Sequence, residues 1–217
     1  MAIVFDLDGT LSDPLTGVAA SLNYALDRLD MERKDESDLK KYIGPPLPDI
    51  FSDLLATKDE IRINQAISFF RERYFKVGYR ENLLYPGISD LLKSLWEGGF
   101  RLYIATAKKE TTAEAVADYF SISHFFTGIS GCGLKKKKID LLNDIRRREN
   151  GNPLTMIGDR YLDMEAGKAA HCRCIGVLWG YGGRKELLDA GADALCNSPM
   201  ALNRMLLEKY QSDGPPG

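Results

Sequence analysis

The chain has 217 residues, of which 44% are hydrophobic and 28% charged, with a formal net charge of -2. Such a chain can build one domain with a substantial core or two modest ones, and its charge balance excludes both the basic field of a nucleic-acid binder and an acidic tail. No apolar run approaches membrane-spanning length, the N-terminus carries acids where a secretory leader has basic and then apolar residues, and Cys132, Cys172, Cys174 and Cys196 have neither disulfide-framework nor zinc-site spacing. Reduced structural thiols, a cytoplasmic location and no membrane or nucleic-acid partner are therefore expected.

The first element is Ala2-Ile3-Val4-Phe5, a short apolar run that leads at once into Asp6-Leu7-Asp8-Gly9-Thr10. An apolar run stopped by Gly reads as a buried strand ending in a tight turn. Period two puts Asp6 and Asp8 on one side of the strand end, with Leu7 turned away. Two such carboxylates repel each other and are costly to desolvate, and a hard cation such as Mg2+ between them offsets both costs. A pair of solvated turn aspartates is the plainer alternative.

Pro14 opens a helix carrying Val18, Leu22, Ala25, Leu26 and Leu29 at helical spacing, and further helices are predicted over 37–42, around Ile50 to Leu55, and over 61–77. Gly44-Pro45-Pro46-Leu47-Pro48 between them reads as a rigid loop. Residues 14–84 thus form an all-helical insert. From Tyr85 onward helices and strands alternate. Strands are predicted at 101–105, 125–129, 154–157, 174–178 and, weakly, 194–195. Helices are predicted over 88–96, 111–120, 136–148, 163–170, 186–189 and 201–210. Strands separated by helices of this length argue for βαβ units and a parallel sheet, a Rossmann-like α/β fold. The core domain is then 1–13 with 85–211, the helical insert a domain over 14–84, and 212–217 a disordered tail.

Ligands of a parallel sheet bind outside the carboxyl ends of its strands. Three predicted strand ends carry polar groups: Asp6 with Asp8, Thr106, and Asp159. Thr106-Ala107-Lys108 offers a hydroxyl and turn amides suited to a phosphate oxygen, though an ordinary threonine cap is the simpler reading of those residues alone. Lys135-Lys136-Lys137-Lys138 opens a helix and opposes its macrodipole, so a solvated charge run serves for most of it. Asp163 stands four residues after Asp159, where a helix cap would also place it.

In this order the segments resemble the four motifs of the haloacid dehalogenase superfamily. Asp6-Leu7-Asp8-Gly9-Thr10 resembles its Asp-x-Asp-Gly-Thr signature, Thr106 its second motif, the lysine run its third, and Gly158-Asp159-Arg160-Tyr161-Leu162-Asp163 its fourth. The insert has the place and size of an α-helical cap. Gly44-Pro45-Pro46-Leu47 and Gly176 to Gly182, followed by Glu186-Leu187, resemble segments of the phosphoglycolate phosphatase-like branch.

The resemblance implies a Mg2+-dependent phosphatase of a small phosphorylated metabolite, monomeric or homodimeric, working through an aspartyl-phosphate. Asp6 is then the nucleophile and Asp8 the acid–base. Thr106 and Lys138, with Lys136 and Lys137 as alternatives, hold phosphoryl oxygens. Asp6, the Asp8 main-chain carbonyl and Asp159 bind the metal, Asp163 supports them, and Thr10, Gly44, Leu47, Ala107 and Lys108 touch the substrate. Haloacid dehalogenases and phosphonatases do not keep an acid at the position of Asp8. A phosphomutase and a catalytically weak binding protein of the same fold are the rivals.

Overall fold

A computed structural model of the protein describes residues 1–132 and 136–213, with side chains described through residue 208. The chain divides into two compact units, Met1–Ser12 together with Leu84 onward, and Asp13–Leu83.

The first unit is an α/β core. Its strands are β1 (Ala2–Phe5), followed after the insert by β4 (Arg101–Thr106), β5 (Phe126–Gly131), β6 (Leu154–Gly158), β7 (Arg173–Val177) and β8 (Ala194–Cys196). They form one six-stranded sheet in the order β5-β4-β1-β6-β7-β8, and each neighbouring pair is parallel. Two further strands of two residues, β2 (Ser12–Asp13) and β3 (Leu83–Leu84), pair where the chain leaves the core and returns.

β1 lies at the centre because it can be buried on both sides. Ala2 pairs with Arg101 on one flank and with Leu154 on the other. Its four residues are fully buried, as an uninterrupted apolar run in a parallel sheet requires. Ala2 and Val4 join Tyr103, Ala105 and Met156 in one cluster with Leu141, Leu142 and Ile145 of α7 (Lys138–Arg148) and Met164 of α8 (Tyr161–Ala169). Ile3 and Phe5, also buried, point to the opposite face by the alternation of the strand. There α5 (Ile88–Glu97) packs on β4, α6 (Glu110–Tyr119) on β5, and α10 (Pro199–Asp213) on α5 and β8. The short α9 (Arg184–Asp189) contacts α8. α10 continues to Asp213, past the expected end at Tyr210 and into the stretch expected as a tail. Residues 214–217 lie outside the described residues.

The chain runs outward from β1 through β4 to β5, then returns to the other side of β1 for β6, β7 and β8. The strand order reverses at β1, which is where a crevice opens at the carboxyl edge of a doubly wound sheet.

The second unit holds α1 (Leu15–Asp27), α2 (Glu36–Leu39), α3 (Leu47–Leu54) and α4 (Glu60–Lys76), joined by short turns. α1 packs on α4, and α3 on α4. Phe70 stacks on Tyr74 at 5.3 Å and meets Phe51 edge-on at 6.3 Å. Asp59 caps α4 by accepting the Ile61 N–H at 2.9 Å. The stretch expected to be loop through Pro48 is shorter. α3 starts at Leu47 with Pro48 in its first turn, where a missing N–H costs no helical hydrogen bond. Gly44 stays outside the helix with φ 107°.

All four cysteines are free thiols, and no helix among the described residues is long and apolar enough to cross a membrane.

Candidate active site

The site is assembled at the carboxyl edge of the sheet, in the core unit alone. β1 runs on into Asp6, whose N–H donates to the Ile157 carbonyl at 2.9 Å and so extends the ladder by one residue. The chain then turns back on Leu7, whose carbonyl accepts from the N–H groups of Thr10, Leu11 and Ser12. Gly9 takes φ 85° in that turn, and a Cβ there would stand 2.2 Å from an Asp159 oxygen. Only glycine meets both demands.

Two lysines face the two aspartates of the turn. Lys108 Nζ lies 2.7 Å from Asp8 Oδ2. Lys138 Nζ lies 3.0 Å from Asp6 Oδ1 and is also paired with Asp163 Oδ1. Of the lysine run, Lys136 pairs with Asp144 at the surface, Lys137 is exposed, and Lys135 lies outside the described residues. Lys138 is thus the described lysine of that run that reaches the aspartates, because it is the first residue of α7 and the helix start aims it across the sheet edge.

β6 ends beside β1, which brings Asp159 to the same place. It is fully buried, accepts from Thr10 Oγ1 at 3.1 Å through Oδ1, and from the Tyr181 N–H at 2.9 Å through Oδ2. Asp163 enters from the first turn of α8, where its Oδ2 accepts the Arg160 N–H at 3.0 Å. It therefore caps the helix with one oxygen and holds Lys138 with the other.

Carboxylate oxygens of Asp6, Asp159 and Asp163 lie within 4.8 Å of one another. Burial, then the charges of Asp163 and Asp6, hold Asp159 well above the usual carboxylate range. Burial likewise pushes Asp163 up to about 6 against the pull of Lys138. Asp8 is raised too, chiefly by burial, with Lys108 opposing. For Lys138, burial works downward but Asp163 and Asp6 outweigh it, and the ammonium is held well above the ordinary lysine value. Among the described residues two lysines thus face four aspartates, a deficit of two positive charges in a buried site when all four carboxylates are ionised. Asp8 Oδ1 is buried with no hydrogen-bond partner. An oxygen-only, doubly undercompensated cluster fits a hard divalent cation.

Thr106, the last residue of β4, is 2% exposed. Its Oγ1 accepts the Lys108 N–H at 3.3 Å, which keeps its own O–H available to donate. Ala107 sits beside it in the half-buried turn to α6. Thr10, expected at the substrate, is fully buried with its hydroxyl on Asp159, because the turn at Gly9 folds it back beside the cluster. Gly44 and Leu47 belong to the helical unit, at the turn that precedes α3 and at its first residue.

Sequence reasoning gave no role to Trp179, Tyr181 or Glu186. Trp179 Nε1 donates to the Thr10 carbonyl at 2.9 Å, and Glu186 Oε1 accepts from Arg160 Nε at 2.9 Å and Tyr161 N–H at 3.0 Å. The sequence signal for them was the run of four glycines between Gly176 and Gly183 with Glu186 just beyond.

The family model described as Haloacid dehalogenase-like hydrolase matches residues 3–177. A 5'-nucleotidase of Pseudomonas aeruginosa is 35% identical over 209 residues, 94% of each chain. A phosphoglycolate phosphatase of Nitrosospira multiformis is 30% identical over 212 residues, 91% of each. The crystal structure of a predicted phosphatase from Clostridium acetobutylicum superposes with a TM-score of 0.89 at 34% identity, covering 95% of this chain and 98% of that one. With its catalytic-edge geometry, its family match and these relatives, the chain belongs to the haloacid dehalogenase-like hydrolases, as a phosphatase of the phosphoglycolate phosphatase-like branch.

Proposed function

We propose that the protein hydrolyses small phosphomonoesters with Mg2+, through a phosphoryl group carried transiently on Asp6. The observation that carries this reading is the buried carboxylate cluster, short by two charges, with Lys138 between Asp6 and Asp163. Asp6, Asp159 and the Asp8 main-chain carbonyl would hold Mg2+, with Asp163 beside them; the cation would neutralise phosphoryl charge and shield Asp6 as it approaches an anion.

The chain's own groups account for the rest. An Asp6 carboxylate oxygen attacks phosphorus, and the bond from phosphorus to the leaving oxygen breaks. Asp8 gives a proton to that oxygen, and Oδ1 is the oxygen left available while Oδ2 is paired with Lys108. Asp8 then takes a proton from water, which attacks phosphorus and releases inorganic phosphate from Asp6. Lys138 and the Thr106 hydroxyl neutralise and bind the non-bridging oxygens as charge redistributes.

The names of two relatives support two kinds of substrate for this reading. One is named for phosphoglycolate and another is named a 5'-nucleotidase. Both kinds of ester are small, and each presents a charged or polar group beyond its phosphate. Lys108, beside Thr106 and paired with Asp8, is the proposed partner of that group. Phosphate release across a panel of phosphoglycolate, nucleoside monophosphates, an aryl phosphate and a phosphoprotein tests the reading. The expected order puts phosphoglycolate first, a nucleoside monophosphate second and the phosphoprotein last, with no release by a folded Asp6→Asn variant. Faster turnover of the phosphoprotein, or substantial release by Asp6→Asn, overturns it.

A further inference from the structure

Between β7 and α9 the chain crosses the carboxyl edge of the sheet as residues 178–183; its Leu178 N–H donates to the Cys196 carbonyl at 2.8 Å, and Trp179 and Tyr181 then reach the turn of Asp6 to Thr10 and the turn of Asp159. Trp179 Nε1 holds the Thr10 carbonyl at 2.9 Å, and the Thr10 hydroxyl holds Asp159 Oδ1 at 3.1 Å. The Tyr181 N–H holds Asp159 Oδ2 at 2.9 Å. A Cβ on Gly180 would stand 2.3 Å from the Gly9 carbonyl oxygen and 2.4 Å from Asp159 Cβ, so the backbone here lies directly on both turns. At the far end of the segment, Glu186 takes the Arg160 guanidinium and the Tyr161 N–H, the two residues that follow Asp159. Neither Trp179 nor Glu186 is paired with Asp6, Asp8, Lys108 or Lys138 in any of these contacts.

We propose that Trp179 and Glu186 are positioning residues for the metal, acting as the two anchors of a strap that fixes the orientation of the Asp159 carboxylate. This rests on the reading that Mg2+ binds at Asp6 and Asp159. A carboxylate rotates easily about its last bond. One donor on each oxygen stops that rotation and leaves each oxygen a remaining lone pair in a set direction. Mg2+ tolerates little departure from octahedral geometry, so a preset oxygen is worth more to it than to a larger cation. Trp179 fixes the donor that comes through Thr10, and Glu186 fixes the backbone on which Asp159 rides. Partners of this kind, one step removed from the metal, orient its ligands and raise its affinity.

The test is Mg2+ binding to the metal-stripped whole chain by titration calorimetry, with phosphate release measured separately at saturating Mg2+. Trp179→Phe removes one N–H and keeps an aromatic ring. Its Mg2+ dissociation constant is expected to rise about tenfold, at the low end for such partners. Ca2+ binding should weaken less, and kcat at saturating Mg2+ should fall far less than the Mg2+ affinity. Glu186→Gln should move the same quantities in the same direction, and it decides the matter if Trp179→Phe does not fold in EDTA. Unchanged Mg2+ affinity in the folded variant, or equal losses for Mg2+ and Ca2+, overturns the strap. Asp159→Asn is measured alongside. Parent-like Mg2+ affinity in Asp159→Asn would instead remove the metal reading beneath it.

Discussion

Replacing Lys138 by alanine takes away a cation that is only 10% exposed and lies within ion-pair distance of two carboxylates that are themselves 7% and 1% exposed. The four aspartates of the cluster would then face Lys108 alone. Removing one partner of a buried pair costs about 3–5 kcal/mol, because the remaining charge cannot return to water. Removing a preorganised donor from developing transition-state charge costs about 10²–10³-fold in kcat. Both losses are expected together in Lys138→Ala, the first in urea unfolding without metal, the second in aryl phosphate hydrolysis at saturating Mg2+. Lys138→Arg restores the charge on a wider, planar head that cannot sit between Asp6 and Asp163 in the same way. It should recover most of the stability and leave kcat at least about tenfold down, short of the full loss of the electrostatic donor. Lys136 offers the control, since its partner Asp144 is reached at the surface with the lysine 56% exposed. Lys136→Ala should cost less than about 1 kcal/mol and leave kcat near the parent value. A Lys138→Ala protein that keeps parent-like kcat, or a Lys136→Ala protein that loses as much, refutes the assignment.

Asp8→Asn should lose about 10²–10⁴-fold in kcat while its Mg2+ affinity stays near parental, because the main-chain carbonyl is retained; a calorimetric titration showing metal affinity lost and rate on bound metal kept would reverse the role given to Asp8. EDTA should stop phosphate release, Mg2+ should restore it, and Ca2+ should inhibit because its larger, looser coordination shell spoils in-line geometry. Full activity in chelated buffer would rule out the site. Lys108→Ala should flatten the preference across the small-ester panel, measured as kcat/KM; an unchanged preference would leave Lys108 as the partner of Asp8 and nothing more.

The aspartates were legible because their placement is a local matter. An apolar strand, period two and Gly9 fix Asp6 and Asp8 within a few residues of sequence, and burial of the strand then follows from composition. Lys138 was harder. Four consecutive lysines carry no periodic signal, and only the resemblance picked a register; in three dimensions the start of α7 selects it. Trp179 lay in a segment its glycines marked, but its partner was not legible. Its hydrogen bond joins residues 169 apart, and nothing in Leu178-Trp179-Gly180 announces a partner on the first turn of the chain. The hydroxyl of Thr10 was hard to place for a related reason. A threonine at the end of a phosphatase-like motif suggests a substrate contact, yet the Gly9 turn spends its hydroxyl on Asp159. In the helical unit Gly44-Pro45-Pro46-Leu47-Pro48 read as one rigid loop, yet the first turn of α3 accommodates Pro48.

The central place of β1 bears on how the chain comes together during synthesis. The strand that carries Asp6 is made first, but its two neighbours in the sheet begin at Arg101 and Leu154. The helical unit has all its own residues by Leu83, before the first of those neighbours exists. A nascent chain can therefore close the helices by local contacts while Ala2-Ile3-Val4-Phe5, apolar on both faces, waits without a sheet. Over that interval β1 is an unpaired hydrophobic strand, the kind of segment that invites misassembly and chaperone capture. Asp6 meets Asp159 and Asp163 only as β6 docks, so on the ribosome the carboxylate cluster is assembled late.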